Sequence, residues 1–407
     1  MKVLGIIAEY NPFHNGHRYH LKKSLEVTGA DLCVCVMSGN FMQRGELADW
    51  DKWQRAKMAV DNGVDLVLEL PFAFACNNAE EFAYGGVHLL NGLGCVTDFS
   101  FGSESGDLDA LKRTAEFLIK EPVEYRNKLN ELLKTGLSFP SARSEALRAC
   151  GIDLEANLLQ SSNNILAVEY LKQWILVGQA MKPWTIKRED KGYHSLNLEG
   201  NFASATAIRR QWNQDQRINE ITDFLPSKTI KVIESSVINA SQKRKQLDKM
   251  LLYQLHAMSA CELSEIYSVT EGLENRIKQA VLVSENLEEL INRIKSKRYT
   301  ETRIKRILLH SLLRFQRSDY ERIKKEGILY GRVLGFSKKG IELLHLLKKT
   351  NIAQYPIYTN LKKQELMKSS QNSLFKYDIL ASDLYNLLFY DNIYRKSDFV
   401  VSPYYKK

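Results

Sequence analysis

Short apolar runs alternate with amphipathic stretches over the first hundred residues. Four runs have the length and composition of buried parallel strands, namely Val3–Ala8, Leu32–Met37, Leu66–Leu70 and Val96–Phe101. The stretches between them have helical periodicity and cover Gly16–Val27, Asp49–Asn62 and Asn78–Asn91. This alternation predicts a doubly wound parallel α/β sheet, in which ligands bind beyond the carboxyl ends of the strands.

The pattern changes between residues 107 and 178, where helical periodicity continues without strand-like runs. The clearest helix has apolar residues at spacings of four, four and three, behind two serines that are N-cap candidates. These residues are Leu166, Tyr170, Trp174 and Val177, with Ser161 and Ser162 before them. We interpret this region, about residues 107–178, as a helical insertion.

A further strand at Trp184–Asp190 and a helix that opens within "ASATAIRRQW" complete the predicted α/β domain, residues 1–215. Residues 216–407 form a second predicted domain, which is mainly α-helical. Its predicted helices are Ser227–Ser236, Ala240–Met258, Leu263–Val283, Leu287–Ser296 and Thr302–Arg314. The main breaks are at Gly272, Gly327, Gly331, Gly335 and Gly340.

Composition narrows the class of protein. Of the 407 residues 44% are hydrophobic, but the apolar runs are short and carry charges, so no membrane segment is predicted. The chain does not start with a secretory signal pattern, and we expect a cytoplasmic protein. The six cysteines lack zinc-type spacing, so no protein-held metal is expected. The net charge of +9 favours a polyanionic partner, most commonly nucleic acid.

The stretch "NPFHNGH", residues 11–17, joins the first predicted strand to the first predicted helix. Gly16 lets the backbone approach a ligand closely, and the free N–H groups at the start of a helix attract an anion. His14 and His17 are able to donate hydrogen bonds to phosphate oxygens and to charge that develops as pyrophosphate leaves. The alternative is an ordinary polar turn, but the position between strand and helix favours phosphate chemistry.

This motif resembles the H-x-G-H signature of nucleotidylyltransferases and of adenylating enzymes similar to class I aminoacyl-tRNA synthetases. A second signature of that superfamily, I-S-x-T-x-I-R, holds the triphosphate at the start of a helix. The stretch "FASATAIRR" matches it with Ser204, Thr206, Ile208 and Arg209, whereas Ala203 replaces the usual polar or branched residue. Two matching motifs in the expected order imply a Rossmann-like sheet of the nucleotidylyltransferase type.

Further motifs resemble the bacterial tRNA(Met) cytidine acetate ligase family over nearly the whole chain. They are "SGNFMQRGELADWDKWQRAKMAVDNGVDLVLELP", "FGSES", "SSNNILAVEYLK", "TIKRED", "GYHS" and "RYTETRIKRILLHSLL". The resemblance implies an ATP-dependent ligase that uses acetate to form N4-acetylcytidine at the wobble position of elongator tRNA(Met). It implies an acetyl-adenylate intermediate and no acetyl-CoA. Ser162 stands where the family usually has proline, and "TIKRED" lacks the small residues that commonly follow the arginine.

The resemblance also implies an ATP site, with Mg²⁺ accompanying the nucleotide. Its loop residues are Ile7, Ala8, Glu9, Tyr10, Asn11, Pro12, Phe13, His14, Asn15, Gly16, His17, Arg18, Tyr19 and His20. The remaining members are Gly102, Asn163, Arg188, Ser204, Thr206 and Arg209. Asn163 is preferred to its neighbour Asn164. The alternatives are a simple turn at Gly102 and a surface salt bridge at Arg188.

The candidate catalytic residues are His14, His17 and Lys22, because donors and cations near the phosphates stabilise developing charge. Weaker candidates for contacts with acetate, ribose or cytidine follow the second strand and are Ser38, Asn40, Gln43 and Arg44. On the next helix, Lys52 and Arg55 lie one turn apart. They either face the same crevice or form a solvated basic face.

A basic stripe in the C-terminal half predicts a tRNA-binding surface. Its members at helical spacing are Arg303, Arg306, His310, Arg314 and Arg317. The apolar stripe beside it consists of Ile304, Leu308, Leu312 and Phe315, so one helix would bury one face and offer the other to RNA phosphates. The upstream residues Lys295, Lys297, Arg298 and Tyr299 extend the surface. We assign tRNA binding to Lys297, Arg298, Arg303, Arg306 and Arg314; the alternative is a solvated charged face.

Two other functions are compatible with parts of the sequence. A nucleotidylyltransferase acting on a small phosphorylated metabolite would use both motifs, but it would not need the large basic helical half. A non-catalytic RNA-binding protein would use the basic half, but the intact histidines and the S-x-T-x-I-R stretch count against it.

Overall fold

The computed structural model describes residues 1–188, 203–215, 217–236, 240–270, 272–361, 373–390 and 397–407. The strands in these ranges are β1 Val3–Ala8, β2 Leu32–Ser38, β3 Leu66–Leu70, β4 Asp98–Ser103, β5 Lys182–Lys187, β6 Gly331–Phe336, β7 Ile357–Tyr358 and β8 Tyr404–Tyr405. They form one sheet in the order β5-β4-β1-β2-β3-β6-β7, with β8 paired to β6. Strands β1 to β5 are parallel, which confirms the predicted α/β sheet.

The sheet also contains a strand that the sequence interpretation did not include. Strand β6 pairs antiparallel with β3, with Leu66 opposite Phe336, and it carries β7 and β8 parallel to itself. The glycines at 331 and 335 were interpreted as helix breaks, yet Val333 and Leu334 between them are fully buried. The sheet is therefore mixed at this edge. The domain boundary at residue 215 remains a prediction, and strands β6 to β8 of the same sheet lie beyond that residue.

The α-helices of the N-terminal half follow the predicted alternation. They are α1 Asn15–Thr28, α2 Lys52–Asp61, α3 Phe72–Ala75, α4 Ala79–Gly92, α5 Leu108–Lys120, α6 Val123–Lys134, α7 Phe139–Ala149, α8 Asp153–Leu158, α9 Ser162–Leu176 and α10 Ala205–Asp215. Helices α5 to α9 lie between β4 and β5 in the chain, where the helical insertion was predicted. The predicted strand ends at Lys187, and Glu189, Asp190 and the "GYHS" motif lie outside the described residues.

The C-terminal half is mainly helical in the ranges that the structure describes. After two 3₁₀ turns at Ile218–Glu220 and Thr222–Phe224, the helices are α11 Ser227–Glu234, α12 Ala240–Ala257, α13 Ala260–Ser264, α14 Leu273–Val281, α15 Leu287–Ile294, α16 Glu301–Leu312, α17 Arg317–Glu326, α18 Lys338–Thr350 and α19 Ser373–Phe389. The prediction of one helix over Leu263–Val283 was wrong. Gly272 has a left-handed φ of 78° and separates α13 from α14.

Two apolar cores organise these elements. The larger surrounds the sheet, and every residue of β2 and β3 is buried, as expected for strands covered on both faces. Helix α4 packs closely on β1, because a Cβ at Gly86 would lie 2.5 Å from Ile7 Cδ1. The smaller core joins α12, α14, α15 and α16. No helix in the described ranges is long and apolar enough to cross a membrane.

Candidate active site

A cavity of about 1000 Å³ lies at the carboxyl ends of β1, β4 and β5. Chain segments that are far apart in the sequence line it: the loop after β1, the end of β4, the start of α9, Arg188 after β5, and the start of α10. The chain leaves β1 toward β2 on one side, while β4 lies on the other side. This is the topological switch point, where open α/β sheets bind their ligands.

His14 and His17 form the capping box at the start of α1, and both line the cavity. The Gly16 N–H donates to His14 Nδ1 at 3.0 Å, and the His14 N–H donates to His17 Nδ1 at 3.3 Å. Their rings stack with centroids 3.7 Å apart. Because each Nδ1 accepts a hydrogen bond, each neutral ring carries its proton on Nε2.

Gly16 permits this stacked arrangement. A Cβ at this position would lie 2.9 Å from His14 Cε1 and 3.0 Å from His14 Nδ1. A side chain would therefore push the first imidazole out of the cap. The glycine of the motif thus serves the geometry of the histidine as well as the approach of a ligand.

Burial keeps three imidazoles at this end of α1 uncharged at neutral pH. Burial, assisted by Arg188 and Arg209, lowers the pKa of His14 to about 3. Burial and then His14 lower the pKa of His17 well below its usual value, and burial with Arg188 lowers the pKa of His20 to about 4. The histidines are therefore neutral, and the positive charge near them comes from Arg188 and Arg209.

The second motif faces the first across the cavity. Ser204 caps α10, since its Oγ accepts from the Ala207 N–H at 3.1 Å, and Ser204, Thr206 and Arg209 all line the cavity. Arg209 Nη1 donates to the Asn11 carbonyl at 2.9 Å. The arginine is thereby connected to the loop that contains the H-x-G-H motif.

Gly102, Asn163 and Arg188 also line the cavity. The Arg188 side chain lies over Gly102, where a Cβ would be in ordinary contact with Arg188 Cγ at 3.5 Å. Asn163 Nδ2 donates to Glu104 Oε1 at 2.7 Å. Asn164 is buried and its Oδ1 accepts from the Glu104 N–H at 2.9 Å, so it shapes the loop after β4 and is not in the cavity wall.

Comparison with known proteins decides the family. The family model described as HIGH Nucleotidyl Transferase matches residues 1–398. A tRNA(Met) cytidine acetate ligase from Thermoanaerobacter pseudethanolicus is 44% identical over 403 residues, covering 98% of each chain, and one from Clostridium perfringens is 41% identical over 414 residues, covering 99% of each. The chain belongs to the tRNA(Met) cytidine acetate ligase family. The family prediction is confirmed.

Solved structures support the family over the full length. A crystal structure of Thermotoga maritima TmcAL in the apo form aligns with a TM-score of 0.89 at 35% identity, and covers 100% of this chain and 99% of that one. A second Thermotoga maritima TmcAL structure, bound with alpha-thio ATP, aligns with a TM-score of 0.88 and the same coverage. The Thermotoga maritima protein therefore binds an ATP analogue, and the Rossmann-like fold predicted for this chain is confirmed.

Most of the residues predicted for the ATP site converge on the cavity, but some do not. The residues of the first loop and helix that line it are Ile7, Ala8, Glu9, Tyr10, Asn11, His14, Gly16, His17, Tyr19 and His20. Phe13 is in the core, Pro12 is buried, and Asn15 Nδ2 donates to the Asp223 carbonyl at 2.9 Å. Arg18 and Lys22 are exposed and are not in the cavity wall. The catalytic role predicted for Lys22 gains no support from its position.

The basic residues around α16 divide into two groups. Arg298, Arg303 and Arg306 line the cavity, whereas Lys297 and Arg314 are exposed outside it. Arg306 Nη1 donates to the Gln43 carbonyl at 3.1 Å, and Arg303 Nη2 donates to Thr270 Oγ1 at 2.8 Å. Three of the predicted tRNA-binding arginines therefore line the same cavity as the two motifs.

The prediction of one continuous basic stripe was wrong. Helix α16 ends at Leu312, Arg314 has a left-handed φ of 50°, and Arg317 begins the next helix. His310 is buried and its Nε2 lies 2.8 Å from the Cys76 carbonyl, so it is a core residue. The periodicity continued in the sequence past the point where the backbone turns.

The weaker candidates separate in the same way. Gln43 and Arg44 line the cavity, but Ser38 and Asn40 are buried beside it. Lys52 is fully buried and pairs with Glu69 at 2.8 Å. The two interpretations offered for Lys52 and Arg55 were both wrong, because neither side chain faces the crevice or the solvent. Arg55 donates to backbone carbonyls, including those of Glu9 and Ser38.

The sequence interpretation missed a charged group that the insertion contributes to the cavity wall. Its members are Arg143, Glu169 and Lys172. Glu169 lies on α9 between the apolar residues Val168 and Tyr170. The sequence interpretation considered only the apolar face of this helix. A carboxylate in such a helix with a lysine three residues later was the available signal.

Proposed function

We propose that the protein activates acetate with ATP and acetylates N4 of the wobble cytidine of elongator tRNA(Met), without acetyl-CoA. One observation carries this proposal. The two nucleotide motifs and the basic start of α16 line the same cavity. An enzyme that adenylates a small acid and delivers it to RNA needs the nucleotide site and the RNA-binding wall to meet in this way.

In the first step an acetate oxygen attacks the α-phosphorus of ATP, and the bond to the β-phosphate oxygen breaks. The products are acetyl-adenylate and pyrophosphate. Negative charge increases on the leaving pyrophosphate. The Nε2–H groups of His14 and His17 are oriented as donors by the capping box, and Arg188 and Arg209 supply positive charge.

In the second step the cytidine N4 attacks the acetyl carbonyl carbon, AMP leaves, and N4 loses a proton. Activation is chemically necessary, because the N4 lone pair is delocalised into the ring and acetate itself is unreactive. The cavity holds the two reactants together and replaces a bimolecular encounter by a positioned one. Arg298, Arg303 and Arg306 line the cavity wall from α16 and the turn before it, where RNA phosphates would bind.

The residues present do not form a resident metal site within the described ranges, where no group of three His, Cys, Asp or Glu side chains could hold an ion. In this proposal Mg²⁺ accompanies the triphosphate, where it would neutralise phosphate charge. ATP and tRNA are both cytoplasmic, so the proposed activity is cytoplasmic too.

The test uses the full-length protein with labelled acetate, ATP and an unmodified elongator tRNA(Met) transcript. We expect label in the tRNA that depends on ATP, appears at the wobble cytidine, and is unchanged when coenzyme A is omitted. A dependence on acetyl-CoA would overturn the proposed acetyl donor. Transfer of a nucleotide to a small phosphorylated metabolite, with no label in tRNA, would favour the alternative nucleotidylyltransferase.

A further inference from the structure

The helical insertion builds a wall of the cavity that differs from the wall with the two motifs. The insertion side is apolar and aromatic, with Leu118, Tyr125, Phe139 and Leu166. An ion pair between Arg143 of α7 and Glu169 of α9 interrupts this apolar surface. The proposed reaction steps leave this pair without a role.

The pair is almost fully buried and well ordered by its contacts. Arg143 is 8% exposed and Glu169 is 3% exposed. Arg143 Nη1 donates to Glu169 Oε1 at 2.8 Å, and Lys172 Nζ lies 2.9 Å from Glu169 Oε2. Burial raises the pKa of Glu169, but Arg143 and Lys172 outweigh burial and lower it overall, so the carboxylate is an ionised acceptor at neutral pH.

Stability alone does not explain such a pair. Removing two charges from water costs about as much as their attraction returns, and apolar residues of similar size often stabilise a core better. This pair lies in the wall of the cavity. A polar ligand there is able to form hydrogen bonds with the donors and acceptors of the pair that the ion pair itself does not use. Each carboxylate oxygen accepts more than one hydrogen bond, and a guanidinium has five N–H donors.

We infer that Glu169 and Arg143 recognise the Watson–Crick edge of the acceptor cytosine, an inference that rests on the proposed function. Cytosine presents the N4 amine as a donor beside N3 and O2 as acceptors. A carboxylate is the usual acceptor for cytosine N4, and the guanidinium donates to N3 or O2. Uracil has a carbonyl oxygen in place of the amine, so two hydrogen-bond acceptors would face each other with no proton between them.

An aromatic ring is available to stack on the base. Phe139 lines the cavity at the start of α7, yet 54% of its surface is exposed. Unpaired loop bases are commonly splayed out and stacked on aromatic side chains when a protein reads them. Phe139 would hold one face of the cytosine while the ion pair reads its edge.

Adenine also has an amine beside an unprotonated ring nitrogen, so the base of ATP is the rival ligand for the same pair. Cytosine is favoured, because both nucleotide motifs, Gly102 and Arg188 lie outside the insertion, and only Asn163 of the predicted ATP site shares α9 with Glu169. The two bases are separable by experiment, since acetate-dependent exchange of pyrophosphate into ATP requires no tRNA.

The experiment compares Glu169→Gln and Phe139→Ala with the control Glu145→Gln, whose carboxylate is exposed on α7 and pairs with Arg148. Three quantities are measured on each full-length variant: acetate-dependent ATP–pyrophosphate exchange, acetyl transfer to the tRNA transcript, and competition by a transcript with uridine at the wobble position. For Glu169→Gln we expect transfer to fall roughly tenfold, exchange to stay within about twofold, and discrimination against uridine to relax. For Phe139→Ala we expect reduced transfer with unchanged exchange.

Several outcomes would overturn the inference. A raised KM for ATP in the exchange reaction of Glu169→Gln would assign the pair to adenine. Transfer by both variants equal to that of Glu145→Gln would remove any role in base recognition. Loss of both reactions together with a lower Tm would make Glu169 structural, and unchanged transfer by Phe139→Ala would contradict the stacking. Failure of the native protein to acetylate tRNA would instead overturn the proposed function.

Discussion

The carboxylate of Asp49 holds the guanidinium of Arg209, with Asp49 Oδ2 3.3 Å from Arg209 Nε. Asp49 is buried, and its backbone N–H donates to Asn11 Oδ1 at 3.1 Å. The loop after β1, the loop after β2 and the start of α10 thus meet at one acidic residue. A residue that belongs to neither nucleotide motif positions the arginine of the second one.

This relationship predicts the effect of Asp49→Asn. The variant keeps the shape but weakens a charge-assisted contact, so Arg209 is positioned less well and the KM for ATP should rise roughly tenfold. The measurement is acetate-dependent ATP–pyrophosphate exchange over a range of ATP concentrations. Asp109→Asn, at an exposed position near the start of α5, is the matched control. An unchanged KM in Asp49→Asn would show that Arg209 does not depend on this contact.

His17→Ala should abolish acetyl-adenylate formation and leave tRNA binding unchanged. The substitution removes an Nε2–H donor and one half of the capping box, so the free energy of unfolding should also fall by about 1 kcal/mol. Pyrophosphate release and tRNA affinity are measured on the same preparation. His256→Ala, at an exposed position on α12, is the control. Normal pyrophosphate release from His17→Ala would refute the role given to this imidazole.

His310 should make stability depend on pH in a defined direction. Burial, assisted by Arg306, lowers its pKa to about 4 in the folded protein, against about 6.5 in the unfolded chain. Between these values the unfolded state binds the extra proton, so the free energy of unfolding falls as the pH drops below about 6.5. The stabilising contribution is fully present above that pH.

The His310→Asn variant isolates this effect from other titrating groups. Its free energy of unfolding should vary less steeply than that of the native protein between pH 6.5 and 4.5, by up to about 1.4 kcal/mol per pH unit. Urea unfolding of the unliganded proteins at constant ionic strength gives the two slopes. The exposed His256→Asn should keep the native slope, and equal slopes in all three proteins would contradict the pKa of His310.

Lys297→Glu should weaken tRNA binding without affecting ATP. The residue is exposed outside the cavity wall, so the contact that we predict there would be with RNA phosphates and would be screened by salt. The slope of log affinity against log salt should fall by about one. Arg306→Ala should instead reduce both tRNA binding and pyrophosphate exchange, because Arg306 lines the cavity. Lys128→Glu, at a half-buried position on α6 in the insertion, serves as the control, and equal tRNA affinities for it and Lys297→Glu would remove Lys297 from the interface.

The parts of the structure that could be predicted are those in which neighbours along the chain decide the outcome. The apolar runs of β1 and β3 are buried strands with the predicted bounds, because a continuous apolar run suits a strand covered on both faces. The H-x-G-H and S-x-T-x-I-R stretches face one cavity, because parallel strands bring their carboxyl ends to one edge.

The predictions that were wrong share a different cause. In each case, residues distant in the sequence determine where the side chain lies. Lys52 is buried because Glu69 and Asp398 surround its amine, and nothing within one turn of Lys52 indicates either. Arg314 leaves the helical stripe because its backbone turns there, although its spacing continues the pattern. Glu169 enters the cavity wall because α7 places Arg143 opposite it. Periodicity indicates which residues lie on the same face of a helix or strand. It does not indicate which distant residues cover that face.

The pairing of β3 with β6 has a consequence for how such a protein arises and changes. Removing the C-terminal half would leave β3 as an unpaired and largely apolar edge strand, and exposed edges of this kind promote aggregation. The N-terminal half is therefore not a module that recombination is free to transplant without the C-terminal half. We therefore expect the two halves to be inherited together, because the hydrogen-bond register between β3 and β6 constrains variation in both.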